Sequence, residues 1–124
     1  MKVLVIEDCP GQRSAACEFL QGRDFRVELV RGGREAIARA ARDVFDLIIL
    51  DLAQPSESSL LVLNEIRQTN RDSKILTMST PEQISDRVTA LIQGADDYLI
   101  KPFTAEDLYT RILHNGIPVA VQPQ

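Results

Sequence analysis

Three short apolar runs in this chain each end in side chains that can do chemistry. Val3-Leu4-Val5-Ile6 runs into Glu7-Asp8, Leu47-Ile48-Ile49-Leu50 into Asp51, and Tyr98-Leu99-Ile100 into Lys101-Pro102. A carboxylate directly after such a run sits where a buried strand surfaces at its carboxyl end. In an open parallel α/β sheet, ligands bind in the crevice outside those ends. Three carboxylates and one lysine would therefore converge on one edge of the sheet. Gathering like charges costs free energy, and a divalent cation is the natural compensation. The set suits metal-assisted phosphoryl chemistry on a carboxylate, with Asp51 at its centre.

The elements that must position these groups follow from periodicity. Strands are predicted at 2–7, 26–30, 47–51, 74–79 and 97–101, and helices at about 11–21, 33–43, 58–69, 82–93 and 104–114. The helices carry apolar stripes: Ala16, Phe19 and Leu20; Ile37, Ala40 and Ala41; Leu60, Leu63 and Ile66; Val88, Leu91 and Ile92; Leu108 and Ile112. Arg26-Val27-Glu28-Leu29 alternates in polarity, as a half-exposed edge strand does. Strands interleaved with helices indicate a parallel sheet covered on both faces. Thr80-Pro81-Glu82-Gln83 reads as a helix start, with Thr at the cap and Pro at the first helical position. Thr104 with Asp107 reads as a weaker capping box. Asn115-Gly116 is a helix stop, and the remainder from Ile117 to Gln124 lacks periodicity and reads as extended linker.

A chain of 124 residues makes one domain, with little room for a second. Fourteen basic against eighteen acidic residues give a net charge of −4, which argues against nucleic-acid binding by this domain. No run approaches a membrane span, and the N-terminus enters a strand without a signal-peptide pattern, so a soluble cytoplasmic domain is expected. Cys9 and Cys17, about 12 Å apart if both lie along the first helix, are too far apart for a disulfide and are read as reduced thiols. His114, the sole histidine, is read as a surface residue.

Taken in register, these residues resemble the receiver domain of bacterial response regulators over residues 1–115, with 116–124 as linker or tail. Glu7-Asp8, Asp51 and Ser79 follow strands one, three and four, Tyr98 lies inside strand five, and Lys101-Pro102-Phe103 follows it, in the family's order. Gly94-Ala95-Asp96-Asp97-Tyr98-Leu99-Ile100-Lys101-Pro102-Phe103 looks like a family signature by itself. The resemblance implies a doubly wound, CheY-like (flavodoxin-like) five-stranded parallel sheet of strand order 2-1-3-4-5. It implies that Asp51 accepts a phosphoryl group from a sensor histidine kinase, in a switch that catalyses only its own phosphorylation and dephosphorylation. Asp8, Asp51 and the Ala53 carbonyl would ligate Mg²⁺, with Glu7 acting mainly through water. Lys101 would pair with a phosphoryl oxygen, Ser79 would donate its hydroxyl to another, and Tyr98 would turn inward behind it. The Lys101–Pro102 bond is often cis in this family.

Likeness is closest to receivers of winged-helix transcription factors of the OmpR/PhoB group, which pair symmetrically through helix four, strand five and helix five. Arg87, Asp96, Asp97, Asp107 and Arg111 stand at matching positions on that face, whereas Leu113 replaces a common basic residue. DNA would be reached only through a C-terminal domain absent from this chain. Other departures are Thr80, where a small residue is usual, Ser59, where Gly is common, and Ala53 and Pro81, which give an attacking water no polar handle. Four alternatives compete: a receiver-like interaction module that works without phosphorylation, a stand-alone single-domain receiver, a haloacid-dehalogenase-type phosphatase, and a flavodoxin-like cofactor protein. The phosphatase would need an acid two residues after its nucleophile, where Ala53 stands. The cofactor protein would need a Ser/Thr/Gly-rich loop after strand one, and none is present.

Overall fold

The structure, a computed structural model, describes residues 1–7, 15–23, 25–53 and 58–117. Five strands, β1 (Lys2–Ile6), β2 (Arg26–Val30), β3 (Leu47–Asp51), β4 (Lys74–Ser79) and β5 (Asp97–Ile100), form one all-parallel sheet in the order β2-β1-β3-β4-β5. The helices are α1 (Ala15–Gln21), α2 (Gly33–Arg42), α3 (Ser59–Thr69), α4 (Ile84–Gln93) and α5 (Ala105–His114). Residues 8–14, including the expected start of the first helix and Cys9, lie outside the described residues.

Strand alternation divides the core in two. Val3, Val5, Leu47, Ile49, Leu76 and Met78 point to the side covered by α1 and α5, where Cys17, Leu20, Leu108 and Ile112 are buried. Leu4, Ile6, Ile48, Leu50 and Ile75 point to the side of α2, α3 and α4. β3 is buried along its whole length, and β2, at the edge, is half-exposed as its alternating sequence requires. A strand buried on both faces must be a continuous apolar run, so its first charged residue marks where it emerges.

Three expectations need correction. Val88, Leu91 and Ile92 are not the buried stripe of α4: they are 52%, 39% and 79% exposed, and Ala90 is the helix's buried residue. Spacing identifies an apolar face but not the side of the helix that meets the sheet. Likewise Ala36, not Ala41, joins Ala40 inside under α2. Secondly, α4 begins at Ile84, two residues late, with Gln83 rather than Thr80 at its cap. Gln83 does reach back to the Thr80 N–H (2.9 Å), half of a capping box, but Gln83's own side chain makes no cap bond to the helix. Finally, Ile117 is 5% exposed and packs into the α1–α5 core, so the packed body reaches beyond residue 115. The Thr104–Asp107 capping box at α5 is present in both directions.

Candidate functional site

The strand order reverses direction between β1 and β3, and the crevice outside a parallel sheet opens at such a point. β3 delivers Asp51 there with its side chain 5% exposed. Lys101, just past β5, places Nζ 2.7 Å from Asp51 Oδ2. The Ala53 N–H donates to Oδ1 at 2.9 Å. The backbone on either side is also fixed. Ser59, buried at the start of α3, donates its hydroxyl to the Asp51 carbonyl at 2.8 Å. The Lys101 N–H donates to the Ser79 carbonyl at 2.7 Å, and the Lys101–Pro102 peptide is cis.

Glu7 leaves the end of β1, its N–H donating to the Val30 carbonyl at 3.1 Å. It is 4% exposed, and its Oε1 has no hydrogen-bond partner among the described residues. A buried carboxylate oxygen in that state costs free energy that a ligand can recover. With Glu7 and Asp51 at neighbouring strand ends, the donors are hard carboxylate oxygens, the kind Mg²⁺ takes. Among the described residues no group of three His, Cys, Asp or Glu could hold a metal. The expected set needs Asp8, which lies outside the described residues.

Ser79 ends β4 fully buried, and its Oγ accepts a hydrogen bond from Arg87 Nη1 at 3.3 Å. Tyr98 is half-buried, with the Arg111 guanidinium 5.2 Å from the centre of its ring. Between β5 and α5 lies a cavity of about 350 Å³, lined by Tyr98, Phe103, Asp107 and Arg111 among others. The charged residues expected to cross-pair all have partners within the chain. Asp96 accepts from Arg67 (2.9 Å) and from the Ile75 N–H (2.8 Å). Asp97 pairs with Arg111 and Asn115, both at 3.2 Å. Asp107 caps α5, and Arg87 donates to the Thr80 carbonyl at 2.7 Å. Uncharged surface lies beside them: Ile84, Val88 and Ile92 form an exposed apolar stripe on α4.

The family model of the response regulator receiver domain matches residues 3–113. This chain belongs to that family. It is 38% identical over 112 residues to the response regulator MprA of Mycobacterium leprae, covering 90% of this chain and 49% of the relative. To the transcriptional regulatory protein DltR of Streptococcus agalactiae it is 33% identical, covering 90% and 50%. The chain thus spans about half the length of the curated relatives it matches. Among solved structures it is similar to the receiver domain of the sensor histidine kinase PA1611 of Pseudomonas aeruginosa, which has a magnesium ion coordinated in its active-site cleft. The identity there is 31%, the TM-score 0.79, and the likeness covers 92% of this chain and 94% of that one.

In this receiver the structure brings together Glu7, Asp51, Ala53 and Lys101 around one strand edge. It sets Ser79 one strand over, Tyr98 beyond it, and Arg87 and Arg111 against those two. Two residues of the site carry no signal in the sequence pattern. Ser59, where Gly is common, ties α3 to the backbone of Asp51. Gln83 belongs to the expected helix start. Its amide also donates to the Leu52 carbonyl at 3.2 Å, joining the loop after β4 to the loop after β3. Thr80, where a small residue is usual, turns its hydroxyl to within 3.3 Å of Gln83 Oε1.

Proposed function

We propose that this chain is the phosphoacceptor domain of a two-component response regulator. Asp51 takes a phosphoryl group from a sensor histidine kinase, and the face of α4, β5 and α5 passes the change on. The observation that carries this reading is Asp51 itself, emerging from a fully buried strand with Lys101 Nζ 2.7 Å from Oδ2. A carboxylate oxygen attacks phosphorus while the bond from phosphorus to the imidazole nitrogen of a phosphohistidine breaks. The electron pair returns to that nitrogen, and an acyl phosphate is left on Asp51. Lys101, a compact and mobile charge, moves with the phosphoryl oxygen it neutralises.

Mg²⁺ would be held by Glu7, Asp8, Asp51 and the Ala53 carbonyl. When bound it neutralises charge on the transferring group and aligns it. The orphan Oε1 of Glu7 and the magnesium ion in the Pseudomonas receiver support that assignment. Ser79 donates its hydroxyl to the phosphoryl group and Tyr98 turns inward behind it, linking the site to the α4–β5–α5 face. A homodimer through that face and transcriptional control through a DNA-binding domain outside this chain fit the relatives' names and the exposed stripe of α4. Cytoplasmic residence goes with the same reading, and among the described residues no helix is long and apolar enough to cross a membrane. Incubation with acetyl phosphate tests it. Intact mass should rise by one phosphate with Mg²⁺ and not with excess chelator. Labelling that ignores chelation contradicts the metal assignment, and no labelling under either condition contradicts the function.

A further inference from the structure

Arg87 sits in the first turns of α4 and points back across the loop it follows. Its Nη1 donates to the Thr80 carbonyl at 2.7 Å and to Ser79 Oγ at 3.3 Å, and its Nη2 to the Pro81 carbonyl at 3.4 Å. One guanidinium therefore gathers three consecutive residues. Met78 faces the α1–α5 core, so alternation turns Ser79 to the opposite side of the sheet, where α4 lies. Ser79 is 0% exposed, and Arg87 is the partner of its hydroxyl among the described residues. Asp51, by contrast, is held by Lys101 and the Ala53 N–H. Asp51 is the register partner of Met78 and so leaves the sheet on the face opposite Ser79; the hydroxyl must therefore reorient to meet a group carried on Asp51.

We infer that Arg87 is a latch on Ser79: it holds the hydroxyl on the α4 side, and engagement of a phosphoryl group on Asp51 must first take the hydroxyl from the guanidinium. The latch rests on the phosphoacceptor reading above. It makes Arg87 a positioning residue, which acts through Ser79 and does not touch the phosphoryl group. Accepting from Arg87 leaves the hydroxyl its own proton to donate, so the competition is over where Oγ sits and not over its donor capacity. Departure of Oγ also removes one of three anchors of the guanidinium, loosening a cation beside the exposed Ile84 and Val88. The plain rival is a staple: Arg87 serves only to tie down the Thr80 and Pro81 carbonyls.

Beryllofluoride, a phosphoryl mimic that forms on a carboxylate, separates the two when titrated calorimetrically with Mg²⁺ into the full chain. Giving up one long, 3.3 Å hydrogen bond should cost the parent roughly fivefold in affinity, so Arg87→Met should bind roughly fivefold tighter. In the Ser79→Ala background the same substitution should leave affinity unchanged to within about twofold, because the latch has nothing to hold. Equal effects in the two backgrounds, or unchanged or weaker binding by Arg87→Met alone, overturn the latch. Thermal melts check folding, and Arg87→Gln replaces Arg87→Met if the latter unfolds. A parent chain that binds no beryllofluoride contradicts the phosphoacceptor reading itself, whereas a binding parent without coupling contradicts only the latch.

Discussion

Asp51 is held in place by bonds to its backbone as much as by the charges around it. Ser59 Oγ and the Asp51 carbonyl are both buried, so removing the hydroxyl leaves an acceptor without that donor. Ser59→Ala should lower stability by about 1–2 kcal/mol, read as a shift in urea midpoint, and should slow labelling by acetyl phosphate. An unchanged midpoint and rate would remove Ser59 from the site. Glu7, Asp51 and Lys101 were legible in the sequence because each follows an apolar run and so marks the end of a strand. Ser59 was not, because its partner is a main-chain carbonyl eight residues earlier in the sequence, which no side-chain pattern records. The same holds for Arg87 and Ser79, whose pairing depends on where α4 starts.

Among the elements, the ends of α3, β4 and β5 are clamped by Arg67. Its guanidinium donates to the Gly94 carbonyl (2.6 and 3.0 Å), the Ser73 carbonyl (2.7 Å) and Asp96 (2.9 Å). Gly94 itself has φ +120°, and a Cβ there would come 2.9 Å from Arg67 Cγ. Gly94→Ala should therefore cost about 1–3 kcal/mol in a denaturation midpoint, and a cost near zero would contradict the clamp. The sequence marked this glycine through its motif without giving the reason. The orientation of α4 escaped the sequence for a different cause: an apolar stripe on an interacting helix looks the same whether it meets the sheet or solvent.

At the opposite end of the sheet, Arg39 bonds both Glu28 (2.6 and 2.8 Å) and Asp43, and Lys2 also pairs with Asp43. Hydrogen bonding from Arg39 holds the Glu28 carboxyl below its ordinary value of 4.5, and that from Lys2 holds Asp43 below its ordinary 3.8. Groups lowered by folding contribute stability above their ordinary values and lose it as pH falls through the folded ones. These pairs are about a third exposed and partly screened by water, so the contribution is modest. Glu28→Gln should flatten the fall of the urea midpoint below pH 4.5 and leave its shape above that unchanged. A fall as steep as the parent's would mean that the pair does not matter to folding.

For the whole molecule, the fold was the most legible property, since five strand-like runs alternating with helical segments admit few arrangements of a sheet. What the molecule does with α4 was less so. Ile84, Val88 and Ile92, exposed by 62%, 52% and 79%, give the α4–β5–α5 face an apolar centre beside charges already paired within the chain. Val88→Glu should therefore weaken self-association at least as much as Arg111→Glu, in sedimentation with beryllofluoride and Mg²⁺. A parent that stays monomeric at high concentration with and without the mimic would contradict pairing through this face. All of this depends on a phosphoryl group at one position. Peptide-level mass spectrometry after acetyl phosphate and Mg²⁺ asks for it directly. A single phosphate on the peptide carrying Asp51, absent from Asp51→Asn, is the expected result; equal labelling of that variant, or phosphate elsewhere, would contradict it.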